Sequence, residues 1–381
     1  MSKPSTIYHL PSTTKVAIVC DWLVGIGGAE RVVLEVHRMF PDAPIYTSQY
    51  DPSSIDWFKD ADVRTGWLQK LPASLKKFLP VLRAWHFSRR DLSQYDLIIT
   101  CNFGAESKAV KAKPGAHICL CNAPTHYYWS RYESYLKDPG FPKGTNWLAR
   151  LGLKLLVAPL RRWDYKAAQN PDHMVAISTH IQQEIKKYYN RDSTIIHPPV
   201  DTKRFGNQES GIRNHRRQGF VIAGRQTPYK RSDLAVAACT KLNLPLTVIG
   251  DGPDHDKLVR MAGPTITFVE ADDAEVAQLF AGAEAFIFPG LDDFGITPVE
   301  AMAAGTPVIA YRAGGALDYI VPGKTGEFSD EQTVDSLVKA LRNFDSKKFN
   351  HTAIKKHAES FSNQAFQKNL EHYIARKLQK S

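Results

Sequence analysis

No stretch of this sequence stays apolar long enough to cross a bilayer, so a helical membrane span is not expected. Its opening, MSKPSTIYHLPSTTK, lacks the apolar core of a secretory signal and reads as a short polar lead-in. Cysteine is scarce. The five residues (Cys20, Cys101, Cys119, Cys121 and Cys239) are odd in number and sit mostly inside apolar, strand-like runs. That distribution predicts buried, reduced thiols of a cytoplasmic protein rather than a disulfide framework. Cys119 and Cys121 have no matching ligand pair elsewhere, so no metal site is expected. Acidic residues fall short of basic ones, 39 against 49, and the net charge is +10. The excess points to an anionic partner without naming its kind. No RNA- or DNA-binding module accompanies it, so nucleic acid is not the expected partner. The glycine loop GIGGAERVV (residues 25–33) lacks the spacing of a dinucleotide fingerprint and a supporting acid after the second strand-like run, which excludes NAD.

What is present is the composition of a globular protein, 43% hydrophobic and 23% charged. A chain of 381 residues exceeds one ordinary core, so two domains are expected. The apolar runs KVAIVC, PIYTSQY, YDLIITC, HICLCN and HMVAIS alternate with amphipathic stretches. In one of these, GAERVVLEVHRMF, Val32, Val33, Val36, Met39 and Phe40 recur at helical spacing. This βαβ alternation builds a parallel sheet covered on both faces. The pattern restarts after residue 219 with FVIAGR, LPLTVIGDG, ITFVEA, EAFIFPG and TPVIAY. Between the two series lie HPPVDTKRF, stiffened by its proline pair, and the polar surface stretch GNQESGIRNHRRQG. The expected architecture is α/β, with two Rossmann-like domains facing each other across a cleft. They cover residues 1–200 and 201–362, and a C-terminal helix covers 363–381. That helix carries Phe366, Leu370, Tyr373 and Ile374 on one face, for packing on the second domain or for crossing back to the first.

The stretch PGLDDFGITPVEAMAAGTPVIA (residues 289–310) carries the most chemistry. A strand ends at Phe288-Pro289, and a loop leads through Gly295, Ile296 and Thr297 into a helix expected to begin at Pro298 and stop at Gly305. Backbone amides at Gly295, Ile296 and Thr297 then face outward from a helix N-terminus, a ready anion site. Asp292 and Glu300 flank it. A carboxylate beside a phosphate makes sense if it accepts hydrogen bonds from ribose or sugar hydroxyls, although Glu300 also suits simple complementation of the helix dipole. In AGRQTPYKRSD (residues 223–233), Arg225 and Lys230 sit in a strand-to-helix turn, where two cations can converge on a diphosphate.

Taken in order, GIGGAERVV, AGRQTPYKR, VIGDGP and FGITPVEAMAAGTPVIAYRAGGALDYIVPGKTG resemble the retaining glycosyltransferases of family 4, which have the two-domain GT-B fold. The likeness is greatest to the bacterial branch that includes mannosyltransferases of surface-polysaccharide and glycolipid assembly. The resemblance implies that Arg225 and Lys230, beside Gly224, hold the donor diphosphate and stabilise the leaving group. Amides around Gly295, Ile296 and Thr297 bind the same phosphates, and Glu300 grips the nucleotide ribose. The first carboxylate of the family's Glu-x7-Glu motif, which contacts the donor sugar, falls on Asp292, one methylene shorter than the usual glutamate. Gly27 and Gly28 approach the donor phosphates and the acceptor from the other domain. The resemblance further implies no cofactor beyond the nucleotide-sugar itself, and no metal.

In CNAPTHYYWSRY (residues 121–132), alignment on Pro124 and Trp129 places Asn122 where relatives carry a histidine beside the transferred sugar. His126 follows four residues later, where relatives often carry a basic residue. Asn122 can bond a hydroxyl but cannot take a proton near neutral pH. His126 orders the acceptor loop, binds an acceptor phosphate or takes part in catalysis; the residues alone leave these open. The aromatics Tyr127, Tyr128, Trp129 and Tyr132 form either a sugar- or lipid-facing wall or ordinary loop packing. The segments 67–90 and 147–163 mix Leu, Phe and Trp with basic residues and hold no acid, and prolines at 72 and 80 interrupt the first. A surface of that kind suits docking on an anionic leaflet. The expected protein is a retaining, metal-independent transferase moving mannose from GDP-mannose to a glycolipid or growing glycan, peripheral on the inner face of the cell membrane. The competing expectation is a sugar-nucleotide-binding subunit with weak catalysis of its own, motivated by Asn122 and Asp292.

Overall fold

The computed structural model describes residues 13–72, 80–103, 106–137, 146–206 and 217–378. The lead-in up to residue 12, the polar stretch 207–216 and residues 73–79 of the first basic segment lie outside the described residues. The chain divides into two compact units. One holds the residues up to Ile177, Ile181–Ile196 and those from Gln367 on; the other holds Ser178–His180 and His197–Phe366.

In the first unit the order is β1 (Val16–Cys20), α1 (Gly28–Met39), β2 (Ile45–Tyr46), β3 (Val63–Arg64), α2 (Pro80–Ser88), β4 (Leu97–Asn102), β5 (His117–Cys121), α3 (Tyr132–Lys137), α4 (Asn146–Ala167), β6 (His173–Ala176), α5 (Thr179–Tyr189) and β7 (Thr194–Ile195). The seven strands are parallel and lie in the order β3-β2-β1-β4-β5-β6-β7. Ile18 is in register with Ile45 on one side and Ile99 on the other. Helices cover both faces, so β4 is buried at all six residues and reads as a continuous apolar run rather than an alternating one. Val32, Val33 and Val36 of α1 are buried, as the helical spacing predicts. Each such side chain contributes about 1.5–3 kcal/mol.

The second unit runs α6 (Thr202–Gly206), β8 (Phe220–Ala223), α7 (Ser232–Leu242), β9 (Leu246–Ile249), α8 (His255–Met261), β10 (Ile266–Val269), α9 (Asp273–Gly282), β11 (Ala285–Phe288), α10 (Ile296–Ala303), β12 (Val308–Tyr311), α11 (Ala316–Tyr319), β13 (Gly326–Ser329), α12 (Val334–Asn343) and α13 (His351–Ala358). Its six parallel strands lie in the order β10-β9-β8-β11-β12-β13. Leu234, Val236, Val248, Ile287, Ile309 and Leu337 belong to its core. Helix α14 (Asn363–Leu378) closes the chain. From Gln367 onward it belongs to the first unit: Gln367 Nε2 donates to Glu35 Oε2 at 2.7 Å, and Leu370 and Ile374 are fully buried.

Three differences from the sequence reading have local causes. Strands β3 and β7 are two-residue edge strands, too short to show a period, and β13 opens on a glycine. Helix α10 starts at Ile296, so Pro298 is its third residue; an N–H there has no intrahelical acceptor to lose. The division falls near residue 197 rather than 200, because His197 stacks on Phe294 (5.5 Å) and packs on Phe361.

Candidate functional site

Each sheet reverses its winding once, between β1 and β4 in the first and between β8 and β11 in the second. Loops that leave the carboxyl ends of such strand pairs diverge and open a crevice, the usual place for a ligand in this architecture. In the second unit the loops after β8 and β11 carry the expected phosphate residues. Gln226 anchors the first loop: its Nε2 donates to Gly250 O (2.5 Å), and its backbone N–H donates to Asp251 O (2.8 Å). With Gln226 buried, the chain presents Arg225 to solvent, and Arg225 has no carboxylate partner among the described residues. Gly224, at the strand end, has φ +134°, a conformation that favours glycine. Lys230 ends a short 3₁₀ turn, with Nζ 5.7 Å from the centroid of the Phe288 ring, and pairs with the Asp292 carboxylate from the β11 loop.

Gly295 caps α10 with φ +90°; a Cβ there would lie 2.9 Å from the Tyr319 hydroxyl and 3.1 Å from the Phe288 ring. Only glycine fits. Gly315 N donates to Asp292 O (3.0 Å), which fixes the loop against the turn after β12. Its N-cap, Gly295, has no side chain with which to cap α10, and no acid lies in the first turn. Helix α9 differs: Asp272 accepts from the N–H groups of Ala274 (2.8 Å) and Glu275 (2.9 Å), and Glu275 reaches back to Asp272 N. The amides of Ile296 and Thr297 therefore open a positively polarised helix end. Glu300 follows one turn later and is buried. Helix α10 ends as expected: Gly305 N donates to Met302 O (2.8 Å) and Thr306 N to Ala301 O (2.9 Å), with Gly305 at φ +82°. The second unit thus brings Gly224, Arg225, Lys230, Asp292, Gly295, Ile296, Thr297 and Glu300 to the loops of one switch point.

Asn122, His126, Gly27 and Gly28 belong to the other unit. Gly27 caps α1 in an extended conformation and Gly28 is the first helical residue, exposed. Asn122, just past β5, has both side-chain polar atoms buried without a hydrogen-bond partner among the described residues. His126 Nδ1 lies 2.9 Å from Ser130 Oγ, within its own turn. Beneath this segment is a buried polar assembly that the sequence did not announce. Asp164 pairs with Lys108 (2.6 Å) and accepts from Trp129 Nε1 (2.6 Å) and the Tyr189 hydroxyl (2.9 Å). Burial would lower the Lys108 pKa, but Asp164 outweighs it and holds the ammonium above its ordinary value. At the β1/β4 switch point, Asp21 accepts from the N–H groups of Phe103 (2.9 Å), Glu106 (2.9 Å) and Ser107 (2.7 Å). Glu106, fully buried, pairs with the equally buried Arg83 at 3.3 Å. Burial pushes its carboxyl up to about 7, against the pull of Arg83. These partners lie too far apart in sequence for spacing to link them.

The first turns of α4 expose Trp147, Leu148, Leu151 and Leu155, the last at 68%, among Arg150 and Lys154. In the earlier basic segment, Trp67 and Trp85 meet edge to face at 5.9 Å, and the Arg89 guanidinium lies 4.2 Å from the centroid of the Trp85 ring. Among the described residues no helix is long and apolar enough to cross a membrane, and no three His, Cys, Asp or Glu side chains form a group that could hold a metal ion. All five cysteines are buried and free.

Comparison with known proteins agrees with this geometry. The profile of glycosyltransferase family 4 matches residues 26–204, and that of glycosyl transferases group 1 matches residues 203–368. A Mycolicibacterium smegmatis GDP-mannose-dependent alpha-(1-6)-phosphatidylinositol monomannoside mannosyltransferase is 28% identical over 204 residues, 46% of this chain and 53% of the relative. A GDP-mannose-dependent alpha-mannosyltransferase of the same species is 39% identical over 114 residues, 29% of this chain and 30% of the relative. The chain thus spans about half or less of the length of these curated relatives. Among solved structures, Anabaena HepE in complex with UDP superposes with a TM-score of 0.69 at 16% identity, covering 95% of this chain and 100% of HepE. WaaG, a glycosyltransferase involved in lipopolysaccharide biosynthesis, gives 0.63 at 16% identity, covering 94% and 98%. With two Rossmann-like units and both profiles matched in order, the chain belongs to the family-4 glycosyltransferases of the GT-B fold.

Proposed function

We propose that this protein transfers mannose from GDP-mannose, with retention of configuration and without a metal ion, to a lipid-linked or surface-glycan acceptor at the cytoplasmic face of the membrane. The observation that carries the reading is the meeting of Arg225, Lys230, the uncapped α10 N-terminus and two carboxylates at the second switch point. The names of the curated relatives support mannose and GDP as the donor parts. Arg225 and Lys230 neutralise the charge that grows on the departing diphosphate, and the α10 amides receive its oxygens. The reading gives this neutralisation to the protein's cations rather than to a divalent ion. Glu300 accepts from ribose hydroxyls and Asp292 from the sugar. The bond from the anomeric carbon to the leaving phosphate oxygen breaks as the acceptor oxygen bonds on the same face, and the leaving phosphate takes the acceptor proton. Asn122 then needs only to orient a hydroxyl, which an amide can do.

The exposed Trp and Leu residues of α4, interleaved with Arg150 and Lys154, support docking on an anionic leaflet, where a lipid-linked acceptor is reached. The central test is substitution at the phosphate site. Arg225→Ala and Lys230→Ala each lower donor turnover at least about 100-fold, equivalent to ~2.7 kcal/mol of transition-state stabilisation. Near-normal turnover in both variants would remove the phosphate site.

A further inference from the structure

Lys230 and Asp292 sit in loops that follow different strands, 62 residues apart, and meet in an ion pair whose side chains are mostly shielded from solvent. In the proposed donor complex they serve different parts of one ligand, the ammonium the diphosphate and the carboxylate the sugar hydroxyls. A phosphate close enough to use Lys230 competes with Asp292 for the same ammonium and brings a like charge toward the carboxylate. Arg225 faces no such competition, since it has no carboxylate partner among the described residues. The consequence differs between two ligands with the same phosphates. A nucleotide-sugar brings hydroxyl donors that can occupy the oxygens of Asp292 as Lys230 turns away. A bare nucleoside diphosphate has only its ribose hydroxyls, which go to Glu300, so it leaves a shielded carboxylate without its cation.

We propose that the Lys230–Asp292 pair makes Asp292 a specificity-determining residue, one that sets the site against free nucleoside diphosphate and in favour of the sugar-bearing donor. The inference rests on the reading of this unit as the nucleotide-sugar site. It gives the aspartate a role in product release as well as in sugar contact: once the sugar has left, Asp292 reclaims Lys230 and weakens the hold on the product.

The test is calorimetric titration of the full chain with GDP and GDP-mannose, and with the UDP, ADP and dTDP counterparts where those bind better. Asp292→Asn, close in shape, tightens GDP about fivefold or more, the effect of removing about 1 kcal/mol of competing ion pair. It does not tighten GDP-mannose, because the lost hydroxyl contacts offset the gain. In a Lys230→Met background the same Asn substitution gives no gain for GDP. Unchanged or weaker GDP binding in Asp292→Asn, or an equal gain in the Lys230→Met background, overturns the proposal. Failure of the underlying reading looks different: Lys230→Met and Arg225→Ala then leave the binding of every nucleotide unchanged.

Discussion

Replacing Asp164 by asparagine is the most severe single change that the fold predicts outside the phosphate site. The carboxylate and its partner Lys108 are both fully buried, 2.6 Å apart. Asparagine keeps an acceptor for Trp129 Nε1 or the Tyr189 hydroxyl but takes the paired negative charge away from the Lys108 ammonium. Breaking a buried pair from one side costs roughly 3–5 kcal/mol, and the Lys108 side chain has no exposed surface among the described residues. Lys108→Met is milder, about 2 kcal/mol, because Asp164 keeps two strong hydrogen-bond donors and the methionine fills the methylene volume. The double variant is then more stable than Asp164→Asn alone. Urea unfolding followed by intrinsic fluorescence reads this unit selectively, since all seven tryptophans precede residue 164. Asp164→Asn within about 1 kcal/mol of the parent protein, or strictly additive losses in the double variant, would refute the argument.

Other expectations concern separate parts of the molecule. Glu300→Ala weakens nucleotide binding about 10- to 100-fold, the worth of hydrogen bonds to a charged acceptor, and unchanged affinity by calorimetry would count against a ribose contact. His117 is fully buried, with Nε2 3.1 Å from Thr100 Oγ1, and burial lowers its pKa to about 4. Because the unfolded imidazole binds a proton more readily, its stabilising contribution is complete above pH ~6.5 and is lost as pH falls toward 4. Between pH 7 and 5 this amounts to about 2 kcal/mol, and His117→Gln should shrink the measured pH difference by that amount; an unaltered difference would exclude it. Leu151→Glu with Leu155→Glu should abolish flotation on anionic vesicles without loss of stability, since both side chains are exposed. Unchanged flotation of that variant, or no flotation of the parent protein, would argue against the α4 surface.

What could be read from the sequence was what is encoded locally. The strand-loop-helix-strand from Ala285 to Tyr311 carries its own punctuation, because Gly295 and Gly305 take positive φ and only glycine does so freely. Alternation of apolar runs with amphipathic stretches sufficed for the central strands of the two parallel sheets, since those strands are buried on both faces. Where a helix began was less legible, as Pro298 shows, because proline is tolerated anywhere in the first turn. The long-range polar pairs were not legible at all. Nothing in SKAV says that Lys108 meets an aspartate 56 residues later, and nothing in DDFG says that Asp292 meets Lys230. The Lys230–Asp292 pair follows from which loops share a switch point, and the Lys108–Asp164 pair from where helix α4 packs; both depend on tertiary placement rather than on residue pattern.

The most direct measurement is release of nucleoside diphosphate from a panel of GDP-, UDP-, ADP- and dTDP-sugars by the purified chain, with and without a crude lipid extract from the source cell. The account predicts release from GDP-mannose, increased by lipid and lost in Lys230→Ala. Tight binding of one nucleotide-sugar with no release from any, in the presence of lipid, would contradict it and leave a protein that holds a donor without using it.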